Sequence, residues 1–140
     1  MSLHARRFCA AMALCGAAAQ AEPLAGFQDI ANALARGGRV TVALDLARCQ
    51  RGSGQPGPAI RAGLALTSYM NFGARIVFSD SHFTLPPAQT RPVVEFVRYE
   101  LDVQGGLALT STEFELPGYV QRQKRVLRCS LGRGAAFFAS

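Results

Sequence analysis

Two cysteines, Cys49 and Cys129, stand 80 positions apart in the part of the chain that follows an apparent export signal. In an exported protein an even pair of cysteines is typical of a disulfide, whereas in the cytosol such a pair more often indicates a metal or redox site. A bond between them closes most of the chain into one loop and is worth roughly 4 kcal/mol in the chain-entropy model. The pair therefore predicts a structural disulfide and an oxidising compartment.

The predicted secretory signal peptide comprises residues 1–21. A short start that ends in two arginines is followed by an uncharged, alanine-rich run and a small-x-small motif ending at Ala21. An N-terminal buried helix is the alternative interpretation of the apolar run. A lipoprotein signal at Cys15 fits less well, because the preceding leucine is larger than the residue such a site needs. We predict cleavage between Ala21 and Glu22 and a periplasmic or secreted location.

Removal of the signal leaves a mildly basic chain. Two arginines leave with it and no acidic residue does, so the formal charge falls from +6 to +4. Basic residues cluster near the C-terminus, at Arg122, Lys124, Arg125, Arg128 and Arg133. A solvated strand face is the simpler interpretation, and a weak attraction to anionic lipid, polysaccharide or an acidic partner is the functional one. No segment has the roughly 20 apolar residues of a membrane span, and no aromatic and basic platform predicts nucleic-acid binding.

The sequence predicts neither a metal nor a cofactor. The chain after residue 21 has no C-x-x-C motif for thioredoxin-type chemistry, and His82 is its only histidine. Neither remaining cysteine has a second soft ligand at the spacing of a zinc site. No glycine-rich phosphate loop follows a strand and opens a helix, because Gly132-Arg133-Gly134 alone is too short a signal.

Hydrophobic periodicity predicts one helix followed by strands. Between Leu24 and Arg36 apolar residues recur at three- and four-residue spacing, and Gly37 supplies a left-handed stop. Alternation between Arg39 and Ala47 predicts a half-buried strand. Further strands are predicted at Arg61–Met70, Arg75–Ser79, Val93–Val103, Leu107–Leu116 and Arg125–Leu131. The turn at 104–106 predicts a hairpin between the third and fourth of these.

The predicted fold class is α+β, with an N-terminal helix followed by a curved antiparallel β-meander in a single domain, residues 22–140. Leu127, Cys129 and Leu131 share a strand face, which directs Cys129 into the core, and Cys49 follows the first strand. The disulfide is thus expected to join the first β element to the last. We expect the sheet to curl until its ends approach, as a half-barrel or small barrel.

Four segments occur in order along the chain: VTVALDLARC at 40–49, IVFSDSHFT at 76–84, FVRY at 96–99, and an ending at 128–138 that holds a cysteine, two glycines and paired phenylalanines. Together they resemble the VirK family of small exported bacterial proteins. The resemblance implies a periplasmic or secreted protein and, through the family's name, a link to virulence in a plant-pathogenic bacterium. It implies no reaction, cofactor or catalytic residue.

Ser79-Asp80-Ser81-His82 is the best catalytic candidate, because it joins two hydroxyls, a carboxylate and the only imidazole after residue 21. Alternation along a strand places Asp80 and His82 on one face and both serines on the other. This separates the hydroxyls from the base that a Ser-His-Asp site requires. Asp80 and His82 are therefore weak candidates for a ligand site, and a turn held by Asx-type hydrogen bonds is the favoured interpretation.

Paired carboxylates for glycoside chemistry are the other candidate. Glu95 and Glu100 share one predicted strand, and Glu113 and Glu115 share the next, but such a pair must lie across a cleft. The solvated side of a strand is the simpler interpretation of Glu113 and Glu115. No catalytic residue is assigned.

Two functions are consistent with these patterns. The first is a non-enzymatic module that binds a protein, glycan or lipid of the envelope or host, with a link to host interaction or virulence. The second is a hydrolase that acts on an envelope or host polymer through Asp80, His82 and the glutamates. A deep pocket that gathers those side chains favours the hydrolase, whereas a filled barrel with an exposed apolar patch favours the binder.

Overall fold

A computed structural model describes residues 21–85 and 90–140, so the predicted signal lies outside the described residues except for Ala21. The elements are β1 Glu22–Leu24, α1 Phe27–Ala35, β2 Val40–Asp45, a 3₁₀ turn Leu46–Arg48, β3 Gln50–Arg51, β4 Arg61–Ala65, β5 Tyr69–Asn71, β6 Arg75–Thr84, β7 Val93–Asp102, β8 Gly106–Glu115, β9 Val120–Leu131 and β10 Gly134–Ala139. No helix in this part of the chain has the length and apolar character needed to cross a membrane.

The strands form one sheet that curls into a half-barrel. Its order is β4-β2-β10-β9-β8-β7-β6-β5, with β1 added to β10 and β3 added to β9. Every pairing is antiparallel except a two-residue parallel contact between β9 and β10. The long strands β6 to β9 are a meander that forms one wall, and β2, β4 and β10 continue the sheet into the other wall.

The predicted α+β class is wrong, because one nine-residue helix accompanies ten strands in the described residues and the fold is mostly β. The helix lies inside the predicted range, and its Phe27, Ile30 and Leu34 are buried as the periodicity requires. A strand precedes it, however, and the sheet is not a simple meander. Strand β10, which the sequence did not predict, lies between β2 and β9.

The expected meander, with the first and last β elements at its two edges, is wrong, although the sheet does curl into a half-barrel. Both β1 and β2 pair with β10, so the first strands and the last lie side by side. The edges of the sheet are β4 and β5, which only residues 66–68 separate in sequence. Buried Leu66 lies in this link, so the two edges approach each other at one end of the half-barrel.

The disulfide joins Cys49, just after the 3₁₀ turn, to Cys129 in β9, and both are buried. Cys129 faces the core as predicted, but its strand is not the last one. Gly134 packs against this bond with φ +91, and a Cβ there would lie 2.8 Å from Cys49 Sγ. Only glycine suits that position, because other residues rarely adopt such a backbone conformation and their Cβ would clash with the sulfur.

The core fills one end of the half-barrel. Ile76, Leu101 and Leu107 are buried completely or almost so on the meander wall, and Phe137 is buried on β10. Phe137 meets Phe78 edge-on with ring centroids 6.2 Å apart, which connects the two walls. Burial decreases along β6 and β9 away from this end and is only partial in the middle of β7 and β8, so these stretches are available for a site.

The predicted hairpin is confirmed as β7 and β8. Its turn is held by Asp102, whose Oδ1 accepts hydrogen bonds from the backbone N–H groups of Gln104 and Gly106, each at 2.9 Å. Gly105 adopts φ +84, which glycine tolerates without strain. The hairpin fixes the register between β7 and β8 and thus decides which side chains meet on the inner face.

Candidate ligand-binding cavity

A cavity of about 280 Å³ lies inside the half-barrel. Strands β2 and β4 and the loop before β4 line one side, and β6 to β9 line the other. Most of its lining is apolar, from Leu44, Leu46, Pro58, Ile60, Ala62, Val97, Leu109 and Leu127. A concave, mostly apolar lining with a few polar groups is the usual composition of a small-molecule site.

The inner face of the meander changes from apolar to polar in four rows, each made of one residue from β6, β7, β8 and β9. Starting from the core, the rows are Ile76, Leu101, Leu107 and Cys129; Phe78, Tyr99, Leu109 and Leu127; Asp80, Val97, Ser111 and Arg125; and His82, Glu95, Glu113 and Gln123. The cavity therefore has an apolar floor over the aromatic row and a mouth that carries charged and hydrogen-bonding groups.

Asp80 and His82 lie at this mouth, on the same face as the alternation predicted. His82 Nε2 is 3.3 Å from Asp80 Oδ2, and the backbone N–H of Ser81 donates to Asp80 Oδ1 at 2.8 Å. The favoured interpretation of a turn is wrong, because β6 continues as a strand through Thr84. His82 lines the cavity, whereas the role of the pair in holding a ligand stays a prediction.

Two further polar residues of the mouth, Ser111 and Glu95, form a hydrogen bond in which the Ser111 hydroxyl donates to Glu95 Oε1. His82 and Ser111 thus belong to separate pairs. No local sequence pattern indicates Ser111, which becomes part of the site only through the register of β8 against β7. Arg125 was predicted only as part of the basic cluster, and its position on the inner face follows from β9 alternation.

The candidate carboxylate pair Glu95 and Glu100 is divided between the two faces of the sheet. Glu95 faces inward and Glu100 outward, and Glu95 lies opposite Glu113 across β7 and β8. Glu100 instead contacts Arg98 at 3.3 Å on the outer face. The solvated-face interpretation is wrong for Glu115, which is buried.

A cluster of one carboxylate and two guanidinium groups closes the far end of β8. Arg91 Nη1 lies 2.7 Å from Glu115 Oε1, and Arg122 contacts Glu115 Oε2. This arrangement neutralises the buried charge and fixes the chain on both sides of β8. The described residues hold no group of three or more His, Cys, Asp or Glu side chains arranged for a metal ion.

Tyr99 forms the floor of the cavity, where its ring stacks on Phe78 with centroids 4.8 Å apart. Burial, and then the negative charges of Asp80 and Glu95, raise the pKa of Tyr99 from 10.0 to about 12. Burial is the larger cause, and the two carboxylates act on the hydroxyl from the polar side of the cavity.

Stability should fall more steeply in alkali in the wild type than in Tyr99→Phe. The pKa of Tyr99 is higher in the folded chain than in the unfolded chain, so the folded state favours the protonated hydroxyl. The stability that depends on this protonated hydroxyl is complete below pH 10 and is lost as pH rises towards 12. We expect a loss of about 2 kcal/mol, measured by urea unfolding at about pH 9 and about pH 11.5. The difference in phenolate absorbance between the two proteins should titrate near 12, and a midpoint near 10 would contradict the buried setting.

Fold and site together define a class of small, curled β half-barrels that carry an internal cavity and one core disulfide. The chain belongs to the VirK family: residues 23–119 match the family model described as VirK protein. The resemblance found in the sequence is thereby confirmed.

The relatives agree with this assignment. The chain is 35% identical over 127 residues to the uncharacterized protein y4wH of Sinorhizobium fredii, covering 89% of this chain and 87% of the relative. It is 28% identical over 119 residues to an uncharacterized protein in the pinF2 3′ region of Rhizobium radiobacter, covering 83% and 81%. The crystal structure of lpg1832, a VirK family protein from Legionella pneumophila, matches with a TM-score of 0.76 and 28% identity, over 84% of this chain and 98% of that one.

Proposed function

We propose that this protein is an exported, non-enzymatic binding protein that holds a small molecule in the cavity of its half-barrel. The observation that carries the proposal is the apolar cavity floor, which opens to a mouth with His82, Glu95, Ser111 and Arg125. An apolar floor supplies affinity and a few polar groups at the mouth supply orientation. Export to the periplasm or medium is supported by the signal-like segment 1–21 and by the disulfide, which persists in oxidising compartments.

Binding rather than hydrolysis is favoured by how the polar groups of the mouth are paired. A Ser-His-Asp site needs a hydrogen bond between its hydroxyl and its imidazole, and here Ser111 donates to Glu95 while His82 contacts Asp80. The cavity does gather His82 and Glu95, as the hydrolase hypothesis requires, but these pairs hold their polar atoms in place without joining hydroxyl to imidazole. The proposed link to host interaction or virulence is supported by the family's name.

The proposal is tested with two variants that place a tryptophan on opposite faces of β4. Ala62 lines the cavity opposite Leu44, and Ala65 lies on the other face of the same exposed edge strand. The full-length chain is expressed and the protein is purified from a bacterial periplasm, where we expect mass spectrometry to show a product that begins at Glu22. This product is titrated with the fluorescent apolar probe N-phenyl-1-naphthylamine. We expect saturable binding that Ala62→Trp weakens about tenfold or more by filling the cavity, while Ala65→Trp has no effect.

Thermal unfolding shows whether each variant is folded before binding is compared. Equal binding by the two variants, or no binding by folded wild type, contradicts the cavity as the site. A retained signal in the purified product contradicts export with cleavage after Ala21. Release of soluble fragments from isolated envelope polymer by wild type, and not by His82→Ala, supports the hydrolase instead.

A further inference from the structure

A groove of about 650 Å³ adjoins the cavity beside β9. Four residues line both spaces: Pro58, Ile60, Arg125 and Leu127. The groove exists because β9 has a second neighbouring strand only near its end, where β3 pairs at 127–128 and β10 at 130–131. Among the described residues, positions 120–126 pair with β8 alone, so the half-barrel is open along this stretch. One elongated molecule can therefore occupy the groove and the cavity together.

Two arginines, Arg51 and Arg125, line the groove, and no carboxylate does. Arg51 is held in place by its backbone, whose N–H donates to the Gln55 carbonyl at 2.8 Å. Arg125 donates to the neutral Oε1 of Gln123. Neither arginine belongs to the ion pairs that neutralise Glu100 and Glu115.

Charge on an open strand edge also discourages pairing with another strand, and this accounts for a basic residue such as Lys124. It does not account for Arg125, whose alternation places it on the inner face between the groove and the cavity. Two guanidinium groups beside apolar surface are suited to a carboxylate, which guanidinium binds with charge-assisted hydrogen bonds.

We infer that cavity and groove together bind an amphipathic monocarboxylate of the fatty-acid type, with its carboxylate between Arg51 and Arg125. Its apolar chain passes Pro58, Ile60 and Leu127 and enters the cavity. This inference rests on the proposed function and adds the chemical class of the ligand. The opposite orientation is unfavourable, because it places the carboxylate beside Asp80 and Glu95 on the inner face.

The test compares three head groups on the same ten-carbon chain. Decanoate, decanol and decylamine displace N-phenyl-1-naphthylamine from the disulfide-bonded, processed protein, below their micelle-forming concentrations. We expect decanoate to bind about tenfold tighter than decanol, and decylamine to bind most weakly. From hexanoate to decanoate the affinity should rise about fourfold per methylene as the chain fills the cavity.

Variants locate the carboxylate. Arg51→Gln and Arg125→Gln should each weaken decanoate about tenfold and leave decanol unchanged. Lys124→Gln removes a charge from the neighbouring position on the outer face of β9 and should change neither affinity. An equal loss of decanoate affinity in Lys124→Gln indicates general electrostatic attraction and overturns the assignment of the carboxylate to Arg51 and Arg125.

The outcomes separate this inference from the proposed function. Equal affinities for decanoate and decanol overturn the carboxylate site. Binding of the probe in that case still supports the cavity as a binding site. Tighter binding of decylamine places the charged group at Asp80 and Glu95 and also overturns the inference. Absence of probe binding by the folded wild type overturns both.

Discussion

In a variant that carries both Cys49→Ala and Cys129→Ala, we expect the free energy of unfolding to fall by about 4 kcal/mol. The bond closes a span of 80 residues, and its removal releases chain entropy in the unfolded state. Both sulfurs are buried where the 3₁₀ turn, β9 and Gly134 meet, so the native structure also loses packing there. Urea unfolding at neutral pH measures the difference. Because whole domains of this size have about 5–15 kcal/mol, the variant should be marginally stable.

Ser130→Ala is the matched control, because it changes an exposed residue next to Cys129 on the same strand. We expect it to alter stability by less than about 0.5 kcal/mol. Wild type treated with a reductant should approach the double variant. Coincident unfolding curves for oxidised wild type and the double variant would show that the bond contributes nothing to stability.

The second large effect is expected for Phe137→Ala, which should cost about 3–5 kcal/mol. Phe137 is 1% exposed, lies on β10 opposite both Val42 and Leu24, and meets Phe78 on the facing wall. Its truncation leaves a cavity where the two walls touch, and neighbouring strands paired on both sides limit how far the site can collapse. Urea and thermal unfolding measure the loss.

Phe138→Ala provides an internal comparison, because it removes the same ring from the adjacent, partly exposed position. We expect its cost to be less than half that of Phe137→Ala, since a partly exposed ring loses less buried surface. Equal costs for the two variants would contradict the assignment of Phe137 to the inner face of β10.

The parts of the fold that sequence predicted correctly are those that local pattern determines. The helical face of Phe27, Ile30 and Leu34 follows from spacing, and the β7–β8 hairpin follows from alternation around Gly105. The disulfide followed from counting cysteines after removal of the signal. The inward direction of Cys129 followed from the alternation of its own strand.

The fold class was wrong because only one short helix accompanies ten strands in the part of the chain that the structure describes, and β10 was missed because it has no local signature. Its sequence GAAFFA contains small residues and two adjacent phenylalanines instead of a period of two. Strand β6 was also predicted too short, because Asp80 and His82 looked like turn residues. Their polarity instead reflects their position at the mouth of the cavity.

The site was only partly predictable for a related reason. Asp80 and His82 were singled out because they lie two residues apart in sequence, and the structure places them at the mouth. Ser111, Tyr99 and Arg125 join them only through the register of four strands, which no single segment encodes. A reading of inner-face positions across the predicted hairpin would have found Ser111, since it lies opposite Val97.

The placement of β10 sets an order of events during folding. Strands β6 to β9 pair with their neighbours in sequence and close short loops, whereas Val42 must find Phe137 across most of the chain. Loop closure therefore favours the meander first and the union of β2 with β10 afterwards. Gln50 pairs with Arg128 beside the bond, so Cys49 and Cys129 meet when this long-range contact between β3 and β9 forms. Oxidation then locks together strands that are far apart in the chain.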